Sequence, residues 1–151
     1  MPGLALKRTN STHADFKPLV AKLDAYLAIT DGDEHAFYDQ YNQIDNIKYV
    51  VLAYDGQSAI GCGAIKCFDD SRMEVKRMWV DEDQRGGGAA AAILDELEKW
   101  ASELGAHSCI LETGKRQHAA VKFYQKRGYK EVPKYGQYVE MDNSICFEKV
   151  I

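Results

Sequence analysis

Apolar residues recur along the chain first at strand spacing, then at helix spacing. Residues 4–10 (Leu-Ala-Leu-Lys-Arg-Thr-Asn) predict a short strand that ends in the polar Asn10-Ser11-Thr12. Asp15-Phe16-Lys17-Pro18 opens a helix with Leu19, Val20, Leu23, Tyr26 and Leu27 at helical intervals. Pro18 fits only its first turn, where the missing N–H costs nothing. Thr30-Asp31-Gly32-Asp33 breaks this helix, and residues 34–46 read as a second, weaker and more polar one. Tyr49-Val50-Val51-Leu52-Ala53-Tyr54 predicts a strand, and Asp55-Gly56 a hairpin turn into a returning strand over 59–67. Asp69-Asp70-Ser71 turns the chain once more, into a strand over 72–80. The first half therefore ends as an antiparallel meander.

The pattern then changes. Over residues 86–104, Ile93, Leu94, Leu97, Trp100 and Leu104 make a core-facing helical stripe, and Gly105 stops it. Ser108-Cys109-Ile110-Leu111-Glu112 predicts a strand, residues 117–127 a helix closed by Gly128, residues 129–132 an edge strand, and residues 145–150 the last strand. The order β-α-α-β-β-β-α-β-α-β-β predicts an α/β (α+β) fold, with a mixed sheet of six or seven strands flanked by about four helices.

The size, 151 residues and 17.0 kDa with 46% hydrophobic residues, suits one domain spanning 1–151 with a full core. No apolar run approaches the roughly 20 residues of a membrane span, and the start Met-Pro-Gly-Leu-Ala-Leu-Lys lacks a secretory apolar stretch. A cytoplasmic protein with no membrane partner is the expectation. A net charge of -4 argues against a general nucleic-acid binder. Cys62, Cys109 and Cys146 lie in strand-like apolar runs and read as inert thiols; with Cys67 they offer no Cys-x-x-Cys, and no metal site is readable.

The chemistry concentrates in Gln84-Arg85-Gly86-Gly87-Gly88-Ala89-Ala90-Ala91, between a strand and a strong helix. Side-chain-poor residues at a helix start leave bare amides open to a ligand, and the helix end adds about half a positive charge beside the full charge of Arg85. The expected guest is a phosphate or pyrophosphate; the competing reading is a flexible loop or a close helix–sheet contact. Gly86-x-Gly88-x-x-Ala91 formally matches the dinucleotide fingerprint. Its context does not: the preceding strand Arg72-Met73-Glu74-Val75-Lys76-Arg77-Met78-Trp79-Val80 is too polar, four residues separate it from Arg85, and only about 40 residues follow Glu112.

Read instead as Arg85-x-x-Gly88-x-Ala90, the turn resembles the pyrophosphate loop of the GNAT family of N-acetyltransferases. Glu74-x-Lys76-Arg77-Met78-x-Val80 is similar to that family's central strand, and Leu111-Glu112-Thr113-Gly114 with Ala120, Phe123-Tyr124 and Gly128-Tyr129 to its second conserved block. The resemblance covers most of the chain. It implies acetyl-CoA as cosubstrate, with its pyrophosphate on Arg85, Gly86, Gly87, Gly88, Ala89 and Ala90. Its pantetheine arm would lie along the main chain of Met78, Trp79 and Val80, as an added strand where the 72–80 and 108–112 strands part. One N–H near 78–80 would face the thioester oxygen. The family commonly has Asn seven residues before the tyrosine; Gln117 stands there, with the same donor and acceptor one methylene further out, and is read as a cofactor contact.

The resemblance also implies direct acetyl transfer to a primary amine in a ternary complex. Tyr124 would protonate the leaving thiolate, since a phenol near pKa 10 is a fair match to a thiol near about 8.5; the alternative is an ordinary helix-face aromatic. An amine of pKa about 10.4 must also lose a proton, which at pH 7 is equivalent to about 4.6 kcal/mol of barrier. Glu74 is the first candidate base and Glu112 the second; water alone, or pairing of Glu74 with Lys76 or Arg77, are the other readings. Asp31, Asp33, Glu34, Asp39 and Asp45 form an acidic stretch that would draw in a small cationic amine, with Tyr38, Tyr41, Tyr135 and Tyr138 at its margin. The same stretch also reads as a solvated acidic helix. The resemblance allows a homodimer, because the last strands often pair across subunits in the family. A non-catalytic acetyl-CoA sensor is the alternative function; Tyr124 and Leu111-Glu112-Thr113 favour the enzyme.

Overall fold

The computed structural model describes residues 3–34, 36 and 47–151. In chain order these form β1 (Leu4–Thr9), α1 (Phe16–Asp31), β2 (Tyr49–Asp55), β3 (Ser58–Cys67), β4 (Arg72–Val80), α2 (Ala89–Glu103), β5 (Ser108–Gly114), α3 (His118–Lys126), β6 (Lys130–Val132) and β7 (Ser144–Val150). The strands make one seven-stranded sheet in the order β1-β2-β3-β4-β5-β7-β6. Neighbours run antiparallel except β4 and β5, which are parallel. Three α-helices stand among the described residues, against the four expected; the expected helix over 34–46, with Tyr38, Asp39, Tyr41 and Asp45, lies almost wholly outside them.

The sheet is covered on both faces, which explains why β2 reads as an unbroken apolar run rather than an alternation. Val50 and Leu52 join Phe16, Leu19, Val20 and Leu23 of α1 on one face. Val51 and Ala53 join Ile93, Leu94 and Leu97 of α2 on the other, together with Tyr124, Tyr129 and Phe147. Cys62, Cys109 and Cys146 are buried in these layers and Cys67 is exposed. Burial pushes the Cys62 and Cys109 thiols up to about 12, so neither supplies a thiolate at neutral pH.

The helix expected from residue 86 starts at Ala89 instead. Gly86 and Gly88 have φ of 86° and 88°, a left-handed backbone that cannot continue a right-handed helix, so the glycines form the approach to α2 rather than its first turn.

Two features of β3 and β4 shape the site. Gly63 lets α2 approach the sheet: a Cβ there would meet Met78 Sδ at 2.5 Å, Ile93 Cγ2 at 2.8 Å and Leu97 Cδ1 at 2.9 Å. Opposite it, between Lys76 and Trp79, β4 carries a bulge at which Arg77 takes φ 60°. Gly63→Ala is expected to destabilise the protein by about 1–3 kcal/mol through overpacking, measured as a lower urea midpoint at unchanged slope.

Candidate active site

The parallel ladder between β4 and β5 has three rungs: Arg72 with Ser108, Met73 with Cys109, and Glu74 with Ile110. Beyond Glu74 and Ile110 the strands are unpaired, while β5 remains paired with β7 as far as Gly114 and Ser144. The bulge at Arg77 bends β4 at the place where the ladder stops. Asp81 N–H donates to the Ile60 carbonyl on β3. Strand alternation therefore turns the main-chain groups of Trp79 towards β3 and those of Val80 and Met78 towards the open edge. Of the three positions expected to run beside a pantetheine arm, Trp79 thus faces the cleft with its ring and not with its backbone.

A cleft of about 280 Å³ opens there, lined by Leu23 and Tyr26 of α1, Met78, Trp79 and Val80 of β4, Arg85, Ala90, and Gln117, Ala119, Ala120, Phe123 and Tyr124 around α3. Gly86, Gly87 and Gly88 lie outside its lining, in the turn that leads into α2, and the Ala89 side chain is buried in the core. A Cβ at Gly86 or Gly88 would meet nothing within 4 Å, so the turn presents bare backbone to open space. Arg85 folds back from this turn. Its Nε donates to the Val80 carbonyl at 2.8 Å and its guanidinium stacks 4.7 Å over the Trp79 ring. Trp79 Nε1 in turn donates to Asp81 Oδ1 at 3.0 Å, which also pairs with Lys22.

A second cavity, of about 110 Å³, continues from the cleft between α1, β4 and β5. Leu23, Met78, Gln117, Ala120 and Tyr124 line both spaces, so these residues stand at the junction. The second cavity is polar, with Asp31, Glu74, Lys76, Glu112, Thr113 and Tyr138 in its walls. Asp31, at the end of α1, is buried, and Arg116 fastens that helix end by donating to the Thr30 carbonyl at 2.9 Å. Arg77 is buried beneath α1, with Nη2 donating to Asp24 Oδ1 at 2.6 Å.

The two candidate bases differ in their surroundings. Glu74 is engaged: Oε2 accepts from the Tyr135 hydroxyl at 2.7 Å, and Oε1 lies 4.0 Å from Lys76 Nζ. Glu112 is pushed up to about 7, first by burial and then by repulsion from Asp31 and Glu74; a Ser144 hydrogen bond and the Lys76 charge pull the other way. Burial lowers Lys76 from its ordinary value.

Tyr124 is buried and held from two sides. Tyr129 N–H donates to the Tyr124 carbonyl at 3.0 Å and Gly128 N–H to that of Gln125 at 3.1 Å, a Schellman ending in which Gly128 supplies φ 93°. The Tyr129 ring packs edge-on against Tyr124 at 5.7 Å, and its hydroxyl donates to Glu98, which is itself paired with Lys149 at 2.8 Å. Burial raises the Tyr124 phenol above its ordinary value, so it keeps its proton. Gln117 begins α3, and its amide lies against Gly114, where an added Cβ would meet Gln117 Nε2 and Asn143 Nδ2 at 3.2 Å each.

Asp31 is brought to Glu112 and Tyr138, whereas Asp33 and Glu34 stay outside the cavity lining. Sequence reasoning did not assign Leu23, Tyr26, Lys76, Thr113 or Phe123 to either space. Phe123 adjoins Tyr124 and was within reach of a spacing argument. The α1 residues were not, because their helical stripe reads equally as core.

The model of the Acetyltransferase (GNAT) family matches residues 19–129. An "IAA acetyltransferase" of Azospirillum brasilense is 29% identical over 99% of each chain. Among solved structures, a putative acyl-CoA N-acyltransferase from Klebsiella pneumoniae is 29% identical over 97% of each chain, with a TM-score of 0.81. A GNAT-family acetyltransferase from Elizabethkingia anophelis with acetyl-CoA bound shares the fold, at 17% identity over 100% of each chain and a TM-score of 0.73. No helix among the described residues is long and apolar enough to cross a membrane.

Proposed function

The chain belongs to the acetyltransferase (GNAT) family and is an acyl-CoA-dependent acetyltransferase; from that premise we propose that it moves the acetyl group directly onto a primary amine of a small, cationic molecule held in the 110 Å³ cavity. The observation that carries this reading is the junction of the two spaces. The open edge of β4 leads from the glycine turn to Tyr124, and there it meets a carboxylate-lined cavity.

Acetyl-CoA supplies a thioester, whose carbonyl carbon is the electrophile and whose sulfur is the leaving atom. The bare amides at 86–90 and the Arg85 guanidinium would hold its pyrophosphate at the start of α2. Val80 and Met78 would bond the extended arm along the open edge, and a β4 N–H would face the oxygen on which negative charge develops. One such donor is typically worth about 3 kcal/mol.

Among the described residues, Asp31, Glu74 and Glu112 outnumber Lys76 and Arg77 in the cavity wall, which favours an ammonium over an acidic acceptor. The ammonium first gives a proton to Glu112, and the freed lone pair then bonds to the carbonyl carbon; the second proton leaves the nitrogen as the amide forms and replaces the one that Tyr124 gives to the sulfur. The raised pKa of Glu112 makes it a better proton acceptor than an ordinary carboxylate while leaving a working fraction ionised at pH 7. Glu74, held by Tyr135 and Lys76, fixes the wall of the cavity beside Glu112. As the carbon–sulfur bond breaks, Tyr124 gives its proton to the sulfur. The enclosure that raises the phenol also disfavours the thiolate, so donor and acceptor stay matched.

The test is acceptor-dependent thiol release from acetyl-CoA across a panel of amines, read by a chromogenic thiol reagent. Cationic small amines are expected to turn over and acidic ones not; cofactor binding without thiol release would overturn the reading. The pH profile carries a further expectation. Glu112 works only when deprotonated, so kcat/KM rises from the acid side through about pH 7. In Glu112→Gln that limb disappears and the rate at pH 8 falls about 100-fold.

A further inference from the structure

The cavity read as the acceptor site contains an amine of its own. Among the described residues, Lys76 is the one primary amine in the walls of either space, and it lies on β4, the strand beside which the acyl arm runs. Lys76 and Glu74 are two apart on that strand and both line the 110 Å³ cavity, as residues on one face of a sheet do. The Lys76 side chain is 8% exposed, and its Nζ lies 4.0 Å from Glu74 Oε1. Glu112 of β5 stands in the walls of the same cavity.

The position of Lys76 along β4 puts the junction of the two spaces within its reach. Met78, two residues on, lines both spaces together with Tyr124. A strand advances at most about 7 Å over two residues. Here the bulge shortens that advance, because three steps from Lys76 to Trp79 match two on β3, from Ala64 to Cys62. The flexible four-carbon stem of a lysine spans a comparable distance. Burial also lowers the Lys76 pKa, which reduces the cost of the proton that an attacking nitrogen must lose. Exposed lysines such as Lys48 and Lys115 have neither advantage.

We infer that the enzyme acetylates its own Lys76 when acetyl-CoA is bound and no amine occupies the cavity. The inference rests on the reading of the two spaces as donor and acceptor sites. The Lys76 ammonium gives a proton to Glu112, and the freed lone pair bonds to the thioester carbonyl carbon. The carbon–sulfur bond breaks, Tyr124 protonates the sulfur, and the second proton of the nitrogen replaces the one Tyr124 gave. One acetyl-CoA thus yields one acetyl-lysine and one thiol, and Glu112 returns its proton to solvent. The product is neutral and bulkier than the ammonium it replaces. It fills part of a cavity of about 110 Å³, so the acetylated chain no longer admits an acceptor. A free amine and Lys76 therefore compete for the same acetyl group, and the modification shuts the enzyme when acceptor is scarce.

Mass spectrometry of the full chain, incubated with acetyl-CoA in an amine-free buffer, tests it. The chain is expected to gain one acetyl group, mapped by peptide digestion to Lys76, at least about tenfold faster than Lys48 or Lys115 gains one. Excess coenzyme A should suppress the modification by occupying the cleft. Thiol release without acceptor should stop at one equivalent per chain in the wild type and be absent in Lys76→Arg. The acetylated chain should release no further thiol with amines that the untreated chain turns over, and retained turnover would overturn the shut-off. Acetyl-CoA bound by calorimetry with Lys76 unmodified would overturn the inference and leave the cleft assignment intact. Labelling that coenzyme A does not suppress, or that spreads evenly over exposed lysines, would also overturn it, as chemical acetylation from solution. Failure to bind acetyl-CoA at all would overturn the cleft reading, and this inference with it.

Discussion

Tyr124→Phe is expected to lower kcat by a factor of about 100 to 1,000 while acetyl-CoA affinity changes little. The substitution removes one hydroxyl and keeps the ring. The ring is what the Tyr129 edge contact holds, and the Schellman ending is formed by main-chain groups that Phe retains. The Tyr124 hydroxyl has no hydrogen-bond partner among the described residues that its removal would leave unsatisfied, so stability should be nearly unchanged. Burial keeps the phenol protonated through the neutral range, and Tyr124 should add no alkaline limb of its own below about pH 10. Stopped-flow or steady-state thiol release, with calorimetry for the cofactor, separates the two parameters. An unchanged kcat would remove the acid role.

Gly88→Val should weaken acetyl-CoA binding by about 100-fold or more, from two causes that act together. The position has φ 88°, which a β-branched residue adopts only under strain. The space beside it is open, so the new side chain would occupy the room in which a diphosphate has to reach the amides. Gly105→Ala separates the causes. Gly105 has φ 95° with nothing within 4 Å, at the other end of α2, so it carries comparable strain away from the cleft. Cofactor affinity is expected to survive in Gly105→Ala and to be lost in Gly88→Val. Normal affinity in Gly88→Val would contradict the assignment of the turn.

Where the chain offers local, periodic signals, the architecture was legible. The meander from β2 to β4 follows from strand runs separated by Asp55-Gly56 and Asp69-Asp70-Ser71, and α2 from its apolar stripe. The glycines were misplaced by a few residues, because composition locates a helix start without revealing the sign of φ at Gly86 and Gly88. The parting of β4 from β5 was expected from the resemblance alone, since nothing in Lys76-Arg77-Met78-Trp79-Val80 announces a missing ladder. The ranking of Glu74 over Glu112 had the same weakness. Position on the central strand spoke for Glu74, but Tyr135 lies 61 residues away and no spacing rule brings its hydroxyl to 2.7 Å. Burial and the neighbouring carboxylates, which raise Glu112, are properties of the assembled sheet. The α1 wall was hidden for a related reason, since Leu23 both packs in the core and lines the cleft.

The three-rung seam has a consequence for the company this protein keeps. A row of unpaired strand amides on the outside of a protein invites a neighbouring chain to dock and polymerise. Here the row along 76–80 lies inside the fold, with α1 and α3 residues as its walls and Arg85 already bonded to the Val80 carbonyl. Another polypeptide, with side chains on every residue, is too broad to enter. A slender guest that carries its own amides and side groups at only a few atoms is not. The same architecture that would be a liability at the rim of the sheet thus becomes, when sunk to its middle, a sieve that sorts molecules by cross-section.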